Sequence, residues 1–209
     1  MIELFLALVI WAVVHSLTAG SRTKMFVRGK IGERAYQGTY RLAYNLFSAV
    51  TLMPLFYLMM TRIPNAVLWS VPMPYQLVNY GLQITALIGL AISLLQTDIW
   101  SFIGLRQFGR YLRGEPTPDP PSQFVFGGTY ALVRHPLYLF SLIYLWSRPE
   151  MTLSSLVLCV WVTLYFWIGS VYEEKRLIQE YGADYEQYKG QVPRLLPIKF
   201  SSYAKTSGK

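Results

Sequence analysis

The densest run of chemically capable residues is Gly127-Gly128-Thr129-Tyr130-Ala131-Leu132-Val133-Arg134-His135-Pro136-Leu137-Tyr138. Paired glycines let a backbone approach a ligand closely. Arg134 offers a fork of donors suited to a carboxylate, and His135 exchanges a proton near neutral pH. Pro136 sets both at the start of a helix, where unpaired N–H groups favour an anion. The bland alternative is that Arg134 and His135 only mark where an apolar helix meets the membrane boundary.

A second group, Tyr172-Glu173-Glu174-Lys175-Arg176, closes an apolar run. Adjacent carboxylates at a helix C-terminus oppose the macrodipole, which prefers cations there. Either Lys175 and Arg176 make this a solvated mixed-charge extension, or one glutamate faces inward toward a bound amine or sulfonium. Further on, Tyr181, Tyr185 and Tyr188 are spaced four and three apart, one face of a predicted helix, ahead of Val192-Pro193-Arg194-Leu195-Leu196-Pro197. Such a face packs on protein or on a headgroup layer, and a tail held over a site serves as its lid. Asp98, followed by Gly104-Leu105-Arg106-Gln107, either pairs with Arg106 or serves chemistry. His15, beside Ser16 in the first apolar run, is either functional or bonded to a neighbouring helix.

The elements that must position these residues follow from the scarcity of charge. Of 209 residues, 53% are apolar and only 14% charged, against about 25% charged in a soluble domain. Five apolar runs cover residues 2–18, 42–60, 75–97, 136–146 and 152–172. Crossing ~30 Å of hydrocarbon takes about 20 helical residues, so the fourth run is too short alone. It either begins before Pro136 or stops short and leaves a polar cavity at its start. Only Ser147 to Met151 separate it from the fifth, which predicts an antiparallel pair. The expected fold is all-α and integral to the membrane, with five transmembrane helices. The last two form a helical hairpin, beside a cytoplasmic cofactor cavity and a helical C-terminal tail. Residues 1–209 form one domain with a cofactor-binding core at 127–197, and the Ser/Lys/Gly-rich 201–209 segment is expected to be disordered. Residues 1–18, with Glu3 and no small-x-small cleavage signal, read as a retained first span.

All but two of the 19 Lys and Arg fall in the first loop, the third loop or the tail; Arg62 and Arg148 are the exceptions. That asymmetry places the N-terminus outside and the C-terminus in the cytoplasm, in a bacterial inner membrane. The net charge of +8 is then explained by lipid headgroups and topology, not by nucleic acid. Cys159 has no second cysteine to pair with, and with only His15 and His135 besides it no metal site is expected.

Val133-Arg134-His135-Pro136-Leu137-Tyr138, then Glu173-Glu174, then the tail through Pro197 resemble the isoprenylcysteine carboxyl methyltransferase superfamily. That superfamily takes in phospholipid N-methyltransferases and bacterial NnrU-like proteins. A narrower likeness, to bacterial methanethiol S-methyltransferases, rests on Asp98, Gly104-Leu105-Arg106-Gln107, Tyr111-Leu112-Arg113-Gly114, Arg148-Pro149-Glu150-Met151-Thr152 and His15-Ser16. One departure stands out: Phe140 occupies the position where the superfamily pattern has glycine. The resemblance implies S-adenosylmethionine as methyl donor, held by Gln107, Tyr130, Val133, Arg134, His135, Pro136, Tyr138, Glu173, Glu174 and Tyr188. Its carboxylate would lie near Arg134 and His135, its ammonium near Glu173 or Glu174, and its sulfonium against Tyr138. No Gly-x-Gly-x-x-Gly is present, which disfavours a soluble Rossmann-type methyltransferase. The acceptor would be a small or membrane-soluble thiol, or a prenylcysteine-type carboxylate. A thiol needs a base, for which His135 and Asp98 are the candidates. Two other readings stay open, a non-catalytic NnrU-like accessory protein and an NADPH-dependent membrane reductase.

Overall fold

Long apolar runs interrupted at Gly20, Gly32, Gly104 and Gly182 dictate a chain of helices. The computed structural model describes residues 2–62, 66–115 and 125–198, with side chains from residue 5 onward; the 201–209 segment lies outside the described residues. Helix α1 (Ile2–Ala19) ends at Gly20, and α2 (Ser21–Ile31) leaves it at 58°. Then come α3 (Glu33–Arg62), strand β1 (Val67–Ser70), α4 (Gln76–Gln96), α5 (Ile99–Ile103) and α6 (Leu105–Leu112). The short α7 (Thr129–Leu132) precedes α8 (Pro136–Trp146), strand β2 (Glu150–Thr152), α9 (Leu153–Tyr181) and α10 (Ala183–Gln191).

Among the described residues, α3, α4 and α9 are long and apolar enough to cross a membrane, and the bent α1–α2 pair makes a fourth if it is one span. Large apolar side chains face outward along them; Met60 and Leu95 are about four-fifths exposed. Hydrocarbon, not water, is the solvent such surfaces suit. Inside, Leu8 of α1 meets Leu55 of α3, with Trp161 and Val157 of α9 packed against them.

Two local expectations change. The 147–152 connection is a strand as well as a turn: β2 pairs antiparallel with β1, Ser70 opposite Glu150 and Val67 opposite Thr152. Pro149 ends helical structure there, and its carbonyl accepts from Val71 N–H at 2.8 Å. The tyrosines at 181, 185 and 188 do not share one helix, because Gly182, at φ +58°, separates α9 from α10. Tyr185 and Tyr188 alone are buried.

The departure at Phe140 has a structural counterpart. Helix α8 lies along α4, and a Cβ added at Gly89 of α4 would come within 2.4 Å of the Phe140 ring. The ring fills space that a glycine on the opposite helix leaves open, so its bulk is directed at α4. Gly89→Leu is expected to cost about 1–3 kcal/mol by overpacking. Combining it with Phe140→Ala should recover part of that loss, as read from thermal unfolding in detergent by tryptophan fluorescence.

Candidate functional site

The Arg134–His135 segment is extended backbone between two helices, since the residue before a proline is pushed out of the helical region. It is paired by the tail: Arg134 N–H donates to Pro193 O at 2.9 Å and His135 N–H to Arg194 O at 3.1 Å. Val133 and Pro136 on either side are fully buried, which fixes the segment's height in the fold. At its N-terminal side the tight turn at Gly128 (φ +61°) is pinned by Gln96, whose Oε1 accepts from Thr129 N–H at 3.1 Å and Thr129 Oγ1 at 2.5 Å. Ser93, fully buried, donates to Thr129 Oγ1 at 2.9 Å. The end of α4 thereby holds the start of α7.

Glu174 reaches this segment from α9 and is 3% exposed. Its Oε1 accepts from Arg134 Nε at 2.8 Å, and lies 2.8 Å from Arg134 Nη2, 3.2 Å from Arg194 Nε and 3.4 Å from His135 Nε2. Arg134 Nη1 donates to the carbonyls of Lys189 at 2.9 Å and Val192 at 2.6 Å. One guanidinium thus ties α9, the loop before α8 and the tail together. Removing a charge from water this completely is tolerated only with this density of partners.

Glu173, the neighbouring carboxylate, is placed differently. Its side chain is about one-third exposed, accepts from Tyr138 Oη at 2.9 Å and lies 3.5 Å from His135 Nδ1. The Tyr138 ring stacks on His135 at 5.2 Å and on Phe166 at 4.3 Å. The two glutamates divide their tasks: Glu174 neutralises buried arginines, while Glu173 presents a carboxylate beside aromatic faces in a partly open position.

Burial alone would lower the His135 pKa, but the nearby carboxylates of Glu173 and Glu174 outweigh it and raise it above the ordinary histidine value. The sign follows from linkage. Stability from this group is full below the ordinary histidine pKa and is lost as pH rises through the raised folded value. His135→Asn is therefore expected to flatten the decline of unfolding free energy from pH 6 upward, measured by chemical denaturation across pH. Burial likewise pushes the Tyr130 and Tyr188 phenols up to about 12, so both stay protonated donors. Tyr188 donates to the carbonyl of Tyr130 at 2.6 Å, closing α10 onto α7.

Of the sequence-derived candidates, the structure gathers Val133, Arg134, His135, Pro136, Tyr138, Glu173 and Glu174 at one point, with Tyr130 and Tyr188 alongside. Asp98 and Gln107 belong to a neighbouring group. Asp98 caps α5, accepting from Ser101 N–H at 3.2 Å and Ser101 Oγ at 2.8 Å, and pairs with Arg106 at 2.8 Å. The Ser101 hydroxyl is the first cause of its lowered pKa. Gln107 Nε2 donates to Ser101 O at 3.2 Å. Sequence reasoning missed Arg194 as a third member of the ion cluster and Gln96 as the support of Thr129. The Pro193-Arg194 motif was visible, but its pairing partner lies some sixty positions earlier.

An opening of about 350 Å³ lies between α7 and α10, lined by Phe126, Ala131, Asp184, Gln187, Tyr188 and Gln191 among others. A larger one, about 510 Å³, is lined by Gly32, Arg34 and Tyr111 and by none of the Arg134 cluster. The smaller one shares Tyr188 with the candidate site and is lined by none of Arg134, His135, Tyr138, Glu173 or Glu174.

The family model described as NnrU protein matches residues 3–194. The chain belongs to the NnrU family. Relatives within reach of comparison include methanethiol S-methyltransferase 1 of Bradyrhizobium diazoefficiens, 30% identical over 94% of this chain and 66% of that protein. The methanethiol S-methyltransferase of Crocosphaera subtropica is 30% identical over 90% of this chain and 71% of its own length. That of Pseudomonas deceptionensis is 31% identical over 92% and 71%. The chain thus spans roughly two thirds of the length of these curated relatives. No solved structure matches. In this NnrU family member the matched region contains the whole Arg134–Glu174 cluster and the tail that covers it.

The residues present fit a sulfonium-bearing donor on chemical grounds. Glu173, partly open and beside the Tyr138 face, suits a cation, and Arg194, whose side chain is 28% exposed, suits a carboxylate. His135 Nε2 is buried without a hydrogen-bond partner, a polar atom with capacity to spare.

Proposed function

We propose that this chain is an S-adenosylmethionine-dependent integral membrane methyltransferase acting on a small or membrane-soluble thiol. The observation that carries the reading is the likeness, across nine-tenths of the chain or more, to relatives named methanethiol S-methyltransferase. The Glu173–Tyr138–His135 arrangement supports it from the chemical side. A prenylcysteine-type carboxylate is the second acceptor class.

In this reading α1, α3, α4, α8 and α9 are the five spans, with α8 and α9 a hairpin, the N-terminus outside and the C-terminus cytoplasmic, in a bacterial inner membrane. Residues 127–197 form the donor-binding core of a single domain. The donor supplies an electrophilic methyl group on a positively charged sulfur. Glu173 and the Tyr138 face hold that cationic end, and Arg194, with Arg134 and His135 behind it, faces the carboxylate. Tyr130, Val133, Pro136 and Tyr188 shape the walls, while Gln107, Asp98 and Glu174 fix the surrounding frame. In-line methyl transfer asks mainly for orientation and a dry site. The tail, clamped through Arg134, excludes water from above.

Calorimetric titration of the detergent-purified protein with S-adenosylmethionine, S-adenosylhomocysteine and NADPH tests the class. Binding of both sulfur nucleotides, and not NADPH, is the expected result. NADPH binding alone would transfer the case to a reductase, and folded protein that binds none of the three would make it a non-catalytic NnrU-like accessory factor.

A further inference from the structure

A second polar cluster lies within the helices, away from the ion cluster. His15 of α1 contacts α3 through both ring nitrogens: Nδ1 is 2.9 Å from Ser48 Oγ and Nε2 is 2.7 Å from Tyr44 Oη. The Ser48 hydroxyl proton is already given to the carbonyl of Tyr44, at 2.8 Å. With Ser48 Oγ accepting from His15, the ring proton lies on Nδ1, which is also 3.3 Å from Tyr44 Oη. Nε2 is left as the acceptor of the Tyr44 hydroxyl. The result is an oriented phenol–imidazole pair with its basic nitrogen behind the phenol, in a segment otherwise apolar. Ionisable groups are costly at membrane depth and mark function when they recur in a built geometry.

Aromatic rings connect this pair to the candidate donor site. Trp11 stacks on His15 at 4.8 Å, and Tyr165 of α9 lies 6.1 Å from it. Phe166, next in the chain, stacks on Tyr138, which stacks in turn on His135. Arg176 lies one turn beyond Glu173 on α9. The lipid-facing side of α1 here carries exposed Val14 and Leu17, a surface over which a small apolar molecule arrives from hydrocarbon.

We propose that a thiol acceptor is taken up along the ring series from Tyr138 through Phe166 and Tyr165 to His15, and that the Tyr44–His15 pair takes its proton. This rests on the methyltransferase reading above. The thiol gives its proton to the Tyr44 oxygen as Tyr44 gives its own to His15 Nε2. The sulfur lone pair forms the new S–CH₃ bond while the methyl–sulfonium bond breaks. The products are a neutral thioether, S-adenosylhomocysteine and a proton on His15. The other ionisable groups around the pair are Tyr40 on α3, Tyr165 on α9, and Lys24 on α2, which lies near Arg176 and Arg41.

The test uses full-length protein with His15→Gln and Tyr44→Phe, a short alkyl thiol as acceptor, and S-adenosylhomocysteine binding as the control. Expected is an on-the-order-of 10²- to 10⁴-fold loss of kcat/KM at neutral pH in His15→Gln. That loss should shrink as pH rises and the thiol ionises without help, while nucleotide affinity stays at the wild-type value. A second readout needs no donor. A chromogenic aromatic thiol, titrated across pH with each protein, should show its thiolate absorbance at lower pH with wild type than with either variant. Wild-type rates in His15→Gln, a loss that does not change with pH, or identical thiol titrations in all three proteins would each overturn the proposal. If His15→Gln folds poorly, the same two measurements on Tyr44→Phe decide. Wild-type protein that neither binds the nucleotide nor methylates any thiol would instead remove the methyltransferase reading itself, a different and recognisable failure.

Discussion

Glu174→Gln is expected to lower the unfolding free energy by about 3–5 kcal/mol, the usual cost of breaking a buried ion pair by removing one partner. The amide keeps the shape of the side chain and one acceptor oxygen, so packing changes little. What changes is charge. Arg134, whose side chain is 7% exposed, and the partly buried Arg194 lose their shared anion, and His135 loses one of its two carboxylate neighbours. Denaturant unfolding in detergent, followed by tryptophan fluorescence, measures the loss. Glu180→Gln on the exposed face of the same helix is the internal control and should shift stability by less than about 0.5 kcal/mol. Equal effects from the two substitutions would mean that Glu174 is not the electrostatic centre of the cluster.

Arg134→Ala is expected to release the tail locally. The guanidinium holds Glu174 with Nε and Nη2, and the carbonyls of Lys189 and Val192 with Nη1. Hydrogen bonds to a charged donor contribute about 1.5–3 kcal/mol each, so losing the two tail-directed ones should speed amide exchange across α10 on the order of 10²- to 10⁴-fold. Trypsin cleavage at Lys189 and Arg194 should accelerate in parallel. Arg134→Lys should retain most of the defect, because an ammonium is a point charge and cannot span a carboxylate and two carbonyls with a fixed fork. Full protection of the tail in the lysine variant would argue that charge alone, not geometry, holds it.

Several parts of the fold were legible because their signals are local. Helix α8 has the bounds read for the fourth apolar run, since Pro136 fixes its first turn and Ser147-Arg148-Pro149 its end. Helix α4 matches the third run within about a residue at each end for a similar reason. Helices α3 and α9 extend well past their apolar runs, because hydropathy marks only the part that avoids water, while polar turns continue the same hydrogen-bond ladder. The β1–β2 pair was missed: a three-residue strand carries too little alternation to be distinguished from a turn, and its partner is eighty residues away. The inward glutamate was anticipated as a choice between Glu173 and Glu174. The structure answers that they do different things, one buried against arginines and one open beside Tyr138.

By itself, the sequence determined the apolar class of environment, the approximate place of the apolar helices, and the polar segments that lie between them. Those properties depend on residue type and near-neighbour spacing, which a linear chain displays. Tertiary structure alone decided that Arg134 clamps Glu174 and the tail, that Gly89 makes room for Phe140, and that the helix His15 bonds to is α3, through Tyr44 and Ser48. Each is a contact between segments some thirty to sixty positions apart. Which of many compatible partners a side chain meets is set by how helices pack side by side, and no local rule of spacing encodes that.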